Sequence, residues 1–299
     1  MTDITPDTAP RASPGRRLST FFFRHPRVSL GGLLTPPLGL FVVVYLGSLV
    51  VLFVAAFWTL DPFSGEVLHE FSLDNFEKLL TTEVYRTITL RTVGIAFAVT
   101  VTDALIAFPI AFYMARVASP RVRAALVVAV LMPLWASYLV KVYAWRVILQ
   151  ENGVLNWALD PIGLSGPGFG TVATWLVFSY LWLPYMILPV FAGLERIQPS
   201  LLEASADLGA RGGKTFRRVV LPLAFPAVVA GSIFTFSLTL GDYITPQLVS
   251  STQFIGNVVY ANVGVANNLP FAAAYATVPV LIMVVYLVIA RRLGAFESV

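Results

Sequence analysis

Between Arg27 and Asp61 the chain carries no charged residue. That run is longer than the roughly 20 residues needed to cross a hydrocarbon core about 30 Å thick. Comparable stretches recur and predict spans at 38–58, 91–114, 124–140, 171–194, 221–241 and 271–290. Backbone groups in lipid have no water partners, and these runs are too long for barrel strands. The predicted fold is therefore all-α: a polytopic membrane bundle with six transmembrane helices. Composition agrees, with 12% charged residues against roughly 25% in soluble domains. Pro109, Pro133, Pro184 and Pro279 fall inside spans, where neighbouring helices can satisfy the freed carbonyls. They are predicted to kink helices and not to end them.

Orientation follows from the basic residues. The stretch before the first span, the stretches 116–123 and 196–218, and Arg291 with Arg292 hold fifteen of the 20 Lys and Arg. Lys78, Arg86, Arg91, Lys141 and Arg146 lie on the other side. This imbalance predicts a cell-membrane protein, plasma or inner, with both termini cytoplasmic. The first external loop holds Asp61, Glu66, Glu70, Asp74, Glu77 and Glu83, and Asp74 is expected to cap a short helix over 75–80. Residues 1–33 read as a cytoplasmic tail, its first 30 rich in Pro, Ser, Thr and Arg, and 34–293 as the six-helix domain. The first apolar run starts late and exceeds the 7–15 residues of a cleaved signal, so an uncleaved anchor is expected.

Several chemistries are excluded. Cysteine is absent, and His25 and His69 fall in no span, so no metal-ligand spacing exists. No Walker-type loop is present, so the chain has no nucleotide site or cofactor of its own. A membrane enzyme would have only Asp103 and Asp242 as intramembrane acids. The reading is a transport subunit, not an enzyme.

The segment 195–220 has its own pattern. Ser200 with Glu203 makes a capping box, while Leu201, Leu202, Ala204, Ala206 and Leu208 give the next turns an apolar side. Gly209 ends this helix, and a second helix runs from about Gly213 through Phe216 into Leu221 and Pro222. The plain reading is a connecting loop that happens to be helical. At these residues, however, the chain resembles the integral membrane subunits of ATP-binding-cassette importers of type I. Their signature is E-A-A, three residues and a Gly, then nine residues before I-x-L-P. Glu203-Ala204-Ser205, Gly209 and Val219-Val220-Leu221-Pro222 stand at those places. Ser205 for Ala and Val219 for Ile keep size and apolar character.

The resemblance implies a cytoplasmic coupling helix that docks on a separate ATPase subunit. Glu203, Ala204, Ser205, Asp207, Leu208 and Gly209 would lie at or near that contact, with Leu221 and Pro222 at its base. It also implies partners: an ATPase dimer that binds ATP and Mg, a second permease subunit that is a non-identical homologue, and an external solute-binding protein.

Two further stretches, Lys141-Val142-Tyr143-Ala144-Trp145 with Asn152-Gly153-Val154-Leu155-Asn156, and Gly241-Asp242-Tyr243-Ile244-Thr245-Pro246, are similar to spermidine/putrescine permeases. Permeases for thiamine, ferric iron or phosphonates share parts of them. The implied cargo is a polyamine. An acid inside a span costs about 2.5–3.5 kcal/mol, so it faces a cavity or a partner. Asp103 and Asp242 are thus candidate waypoints for ammonium groups, with Tyr243 and Trp145 as cation–π surfaces. The bland alternatives are an Asp103 bonded to Thr100, Thr102 or another helix, an Asp242 at the outer surface, and aromatic interfacial anchors. A secondary transporter would also suit six helices with an intramembrane acid, but it leaves the helix around Glu203 unexplained. A scaffold or receptor-like module is the third class.

Overall fold

The structure, a computed structural model, describes residues 26–294 together with Phe23. Most of the tail expected at 1–33 therefore lies outside the described residues. Its last part, 26–33, is helical: α1 (Pro26–Leu40) continues through a wider π turn, Phe41–Leu46, into α2 (Gly47–Ala55). No charge lies between Arg27 and Asp61, and in lipid the backbone groups of this stretch have only one another as partners. The span Leu30–Ala55 buries none of its side chains in its own unit. Its hydroxyls are satisfied locally, Thr35 Oγ1 donating to the Gly31 carbonyl at 2.6 Å and Ser48 Oγ to that of Tyr45 at 2.8 Å. Of the described residues, those up to Val54 form one unit and those from Ala55 onward a second.

The second unit opens with a short antiparallel hairpin, β1 (Thr59–Leu60) and β2 (Val67–Leu68), with Thr59 opposite Leu68. Helix α3 (Asp74–Thr81) follows where a short helix was expected. Asp74 is its first residue and not its cap: the Asp74 N–H donates to Ser72 Oγ at 3.0 Å. Then come α4 (Glu83–Phe112), α5 (Pro120–Trp135), α6 (Tyr138–Ile148), α7 (Val154–Leu159) and α8 (Thr171–Glu195). The chain continues with α9 (Pro199–Asp207), α10 (Gly212–Thr215), α11 (Leu221–Gly241), α12 (Ile244–Val249), α13 (Ile255–Gly264) and α14 (Leu269–Arg292).

Among the described residues, five helical stretches are long and apolar enough to cross a membrane: Leu30–Ala55, Glu83–Val117, Thr171–Glu195, Gly212–Gly241 and Leu269–Arg292. The third expected span, 124–140, is not one straight helix. α5 and α6 meet at 91° because Ala136 and Ser137 are extended, with ψ of 142° and 134°. Taken as one broken span, the pair makes six. Pro109, Pro133, Pro184 and Pro279 all sit inside helices, as expected.

Helices α4, α8 and α11 form the centre. One apolar layer joins Ala107, Ala111 and Met114 to Met186, Val190, Leu194 and Ala224. A second joins Val99 and Val142 to Phe178, Leu181 and Val249. Small residues allow α8 and α11 to approach closely, as in other membrane bundles. A Cβ added to Gly193 would lie 2.3 Å from Ala227 Cβ, and one added to Gly231 would lie 2.8 Å from Met186 Sδ.

Candidate functional site

Between α8 and α11 the chain leaves the bundle as α9. Pro199 occupies the first turn, where its missing N–H costs nothing. The expected capping box of Ser200 with Glu203 is absent: the cap position falls on Gln198, two residues before Ser200, the helix starts at Pro199, and no side chain caps it. The far end matches expectation. Gly209 has φ +75°, its N–H donates to the Ala206 carbonyl at 2.8 Å, and the Ala210 N–H donates to that of Ser205 at 3.0 Å. This is the Schellman pair that turns a chain sharply out of a helix.

Ser205 is where this chain departs from E-A-A, and its Oγ lies 2.9 Å from Thr215 Oγ1, tying α9 to α10. Leu202 packs on the apolar layer below. Glu203, Ala204, Asp207, Leu208 and Gly209 are exposed, Leu208 at 87%. Ala204, Ser205, Leu208 and Pro222 border one groove of about 540 Å³ with Lys214 and Arg218. Leu221 faces a different groove, beside Phe108 and Phe216. The expected signature residues are thus only partly brought together.

The root of α9 is held by two arginines that counted in the sequence only toward topology. Arg116 donates to the last carbonyls around α8, those of Leu194 at 2.5 Å and Ile197 at 2.6 Å. Arg123 donates to the Met114 and Ala115 carbonyls and pairs with Glu195 at 3.0 Å. Cations at helix C-termini offset orphan carbonyls and the dipole together. A third link is aromatic: the Phe216 ring meets Phe108 and Phe112 edge-on at 5.6 and 5.9 Å. Contacts made across the fold leave no local pattern, so only the helix-end position of Arg116 and Arg123 could have hinted at this role.

The two acids within the bundle sit in separate surroundings. Asp103 of α4 is wholly buried. Thr100 and Thr102 do not serve it: Thr100 Oγ1 donates to the Ala96 carbonyl, and Thr102 Oγ1 accepts from Trp175 Nε1. Ser179 of α8 stands close to it. Even so, both Asp103 oxygens, Ser179 Oγ and Trp182 Nε1 are the buried side-chain polar atoms without a hydrogen-bond partner among the described residues.

Asp242, by contrast, is saturated. Its Oδ1 accepts from the Ile244 and Thr245 N–H groups at 2.8 and 3.1 Å. Its Oδ2 accepts from Thr245 Oγ1 at 3.2 Å and from the Tyr138 hydroxyl. Tyr138 is the first residue of α6, so this bond clamps the 91° break against the end of α11. Tyr243 stacks on Tyr260 at 4.8 Å, and Trp145 tilts against Tyr180 at 5.4 Å. Asp103 and Asp242 share no hydrogen-bond partner.

Residues 107–296 match the family described as "Binding-protein-dependent transport system inner membrane component". Over 306 residues, covering 96% of this chain and 97% of the relative, the chain is 48% identical to the "Inner membrane ABC transporter permease protein YdcU" of Escherichia coli (strain K12). It is 29% identical over 209 residues to the "Spermidine/putrescine transport system permease protein PotB" of Haemophilus influenzae, covering 68% of this chain and 72% of that one. Among solved structures, a chain of a bacterial alginate ABC transporter, crystallised with a periplasmic protein carrying an alginate pentasaccharide, superposes with a TM-score of 0.74. That match has 18% identity and covers 93% of this chain and 97% of the other. The protein belongs to the binding-protein-dependent inner membrane components, the permease subunits of ABC importers.

Proposed function

We propose that this permease subunit moves a polyamine inward by alternating access, with ATP-driven closure of a partner ATPase dimer transmitted through α9. The carrying observation is α9 itself: an exposed helix, turned back by Gly209, tied to α10 by Ser205 and rooted by Arg116. Glu203, Ala204, Ser205, Asp207, Leu208 and Gly209 form the ATPase contact, with Leu221 and Pro222 at the start of the helix that carries the movement. ATP and Mg belong to the partner. In this reading both termini and α9 are cytoplasmic and a second permease subunit completes the path. An external binding protein delivers the cargo, a role that the binding-protein-dependent family supports.

The polyamine assignment is supported by the relatives named for spermidine and putrescine at 28–29% identity. The same stretches that carry Trp145 and Asp242 support it, as do the two acids. Asp103, Asp242, Tyr243 and Trp145 are the proposed path. Only a differential contact between states can shift a population, so Asp103 meets its ammonium partner in a state other than this one, where it is sealed.

The test is ATP hydrolysis by the co-expressed complex in lipid discs, titrated with binding proteins carrying putrescine, spermidine, thiamine, phosphonate or ferric iron. Stimulation by a polyamine-loaded protein, abolished in Gly209→Trp, is expected. A side chain at φ +75° is strained by about 1–2 kcal/mol, and an indole there obstructs docking without touching the bundle. Stimulation by another cargo alone would retain the importer and remove the polyamine.

Asp242 is tested separately. Asp242→Asn is expected to lower polyamine uptake at least tenfold (on the order of 1.4 kcal/mol). Tyr138→Phe, which removes the hydroxyl's contacts with Asp242 and Thr245 but no charge, should lower it much less. Equal losses would make Asp242 a hinge clamp and nothing more.

A further inference from the structure

Phe63 is 99% exposed, the highest value for any large apolar residue among those described. It is not on a lipid-facing helix but at the tip of the β1–β2 hairpin. The turn that presents it is built. Asp61 Oδ1 accepts from the Phe63 N–H at 2.7 Å and the Ser64 N–H at 3.2 Å, which holds the Asp61 carboxyl below its ordinary range. The Gly65 N–H closes on the Asp61 carbonyl at 2.9 Å with φ +70°.

The mount beneath is equally defined. Trp58 meets His69 at 4.3 Å, and Phe57 stacks on Phe71 at 4.9 Å. Asn75 Nδ2 donates to the Ala56 and Trp58 carbonyls at 3.2 and 2.8 Å. Lys78 of the adjoining α3 sits over the Phe271 ring of α14 at 4.9 Å. The backbone that presents the phenyl ring is thus fixed, and the ring itself stands in the open. Aromatic side chains, Phe among them, are enriched in the buried cores of protein interfaces, where a few residues carry most of the binding energy.

The occupant follows from charge. From Asp61 to Glu77 the chain holds five acids and no Lys or Arg. Asp61 and Glu66 bracket the ring, which opposes insertion among anionic headgroups and disfavours a second copy bearing the same acids. In the proposed orientation the hairpin is external, where the importer meets a soluble protein.

We propose that Phe63 anchors the external solute-binding protein, entering an apolar pocket rimmed by Lys and Arg. This rests on the importer reading, and the experiment separates the two. The complete complex in lipid discs is titrated with the binding protein that activates the wild type. Phe63→Ala raises the half-saturating concentration about 30-fold or more, with basal ATPase and subunit composition unchanged, while Phe63→Trp retains affinity. Glu66→Lys raises it less and weakens its salt dependence. An unchanged half-saturating concentration in Phe63→Ala overturns the proposal. So does loss of the second permease subunit from that variant, or quenching of Phe63→Trp by brominated lipid. A wild-type complex that no binding protein activates overturns the importer reading itself.

Discussion

Adding one methyl group at Gly193 is expected to destabilise the bundle by about 1–3 kcal/mol, and a leucine there is expected to prevent stable assembly. The new Cβ would stand 2.3 Å from Ala227 Cβ, where real Cβ atoms do not approach within 3.0 Å. The obstacle is a methyl group on a facing helix, not the end of a flexible side chain, so α8 and α11 must part. Alanine's intrinsic helix advantage over glycine, up to about 1 kcal/mol, opposes this but is smaller. Ala227→Gly in the same chain removes the opposing methyl and should return most of the loss, a coupling expected only for residues in contact. Thermal unfolding in detergent of the wild type, both single variants and the double variant measures it. A Gly193→Ala protein as stable as wild type would mean the helices are not packed at this distance.

The second large effect is uncoupling in Arg116→Ala. Its guanidinium holds two carbonyls at the end of α8, where α9 departs. Hydrogen bonds to a charged donor are worth about 1.5–3 kcal/mol each, and their loss leaves both carbonyls without that partner. The root of α9 then yields when the proposed ATPase moves. Hydrolysis should continue while uptake per ATP falls tenfold or more. Arg116→Lys should recover part of this, since an ammonium can reach a carbonyl but lacks the planar fork. Uptake and hydrolysis measured on the same proteoliposomes give the ratio. A normal ratio in Arg116→Ala would remove the arginine from transmission.

Why the sequence revealed some of this and not the rest is clear from individual residues. Runs without charge must be helices in lipid, so the spans were legible, and the prolines inside them were rightly expected within helices. Gly209 was legible because a left-handed position favours glycine. The break after Trp135 was not, since it depends on Tyr138 reaching Asp242, more than a hundred residues away. Ser200 with Glu203 has the spacing of a capping box, but Gln198 takes the cap position and Pro199 starts the helix, which moves both two places inward. Asp103 was visible as an acid in a span. Its lack of a hydrogen-bond partner among the described residues, and the company of Ser179 and Trp182, exist only once α4 and α8 pack.

The stretch Gly212–Gly241 is one unbroken helix of 30 residues, or about 45 Å at 1.5 Å per residue. Its lower end begins at the Ser205–Thr215 bond, and its upper end abuts the Asp242–Tyr138 clamp. Such a rod multiplies angle into distance. At that length, a tilt of about 5° imposed below sweeps the far end by roughly 4 Å, more than the reach of a hydrogen bond. The five-residue π turn Phe216–Val220, with Pro222 and Pro226 just beyond it, interrupts the rod's regular bonding near its lower end, away from the Asp242–Tyr138 bond at the other.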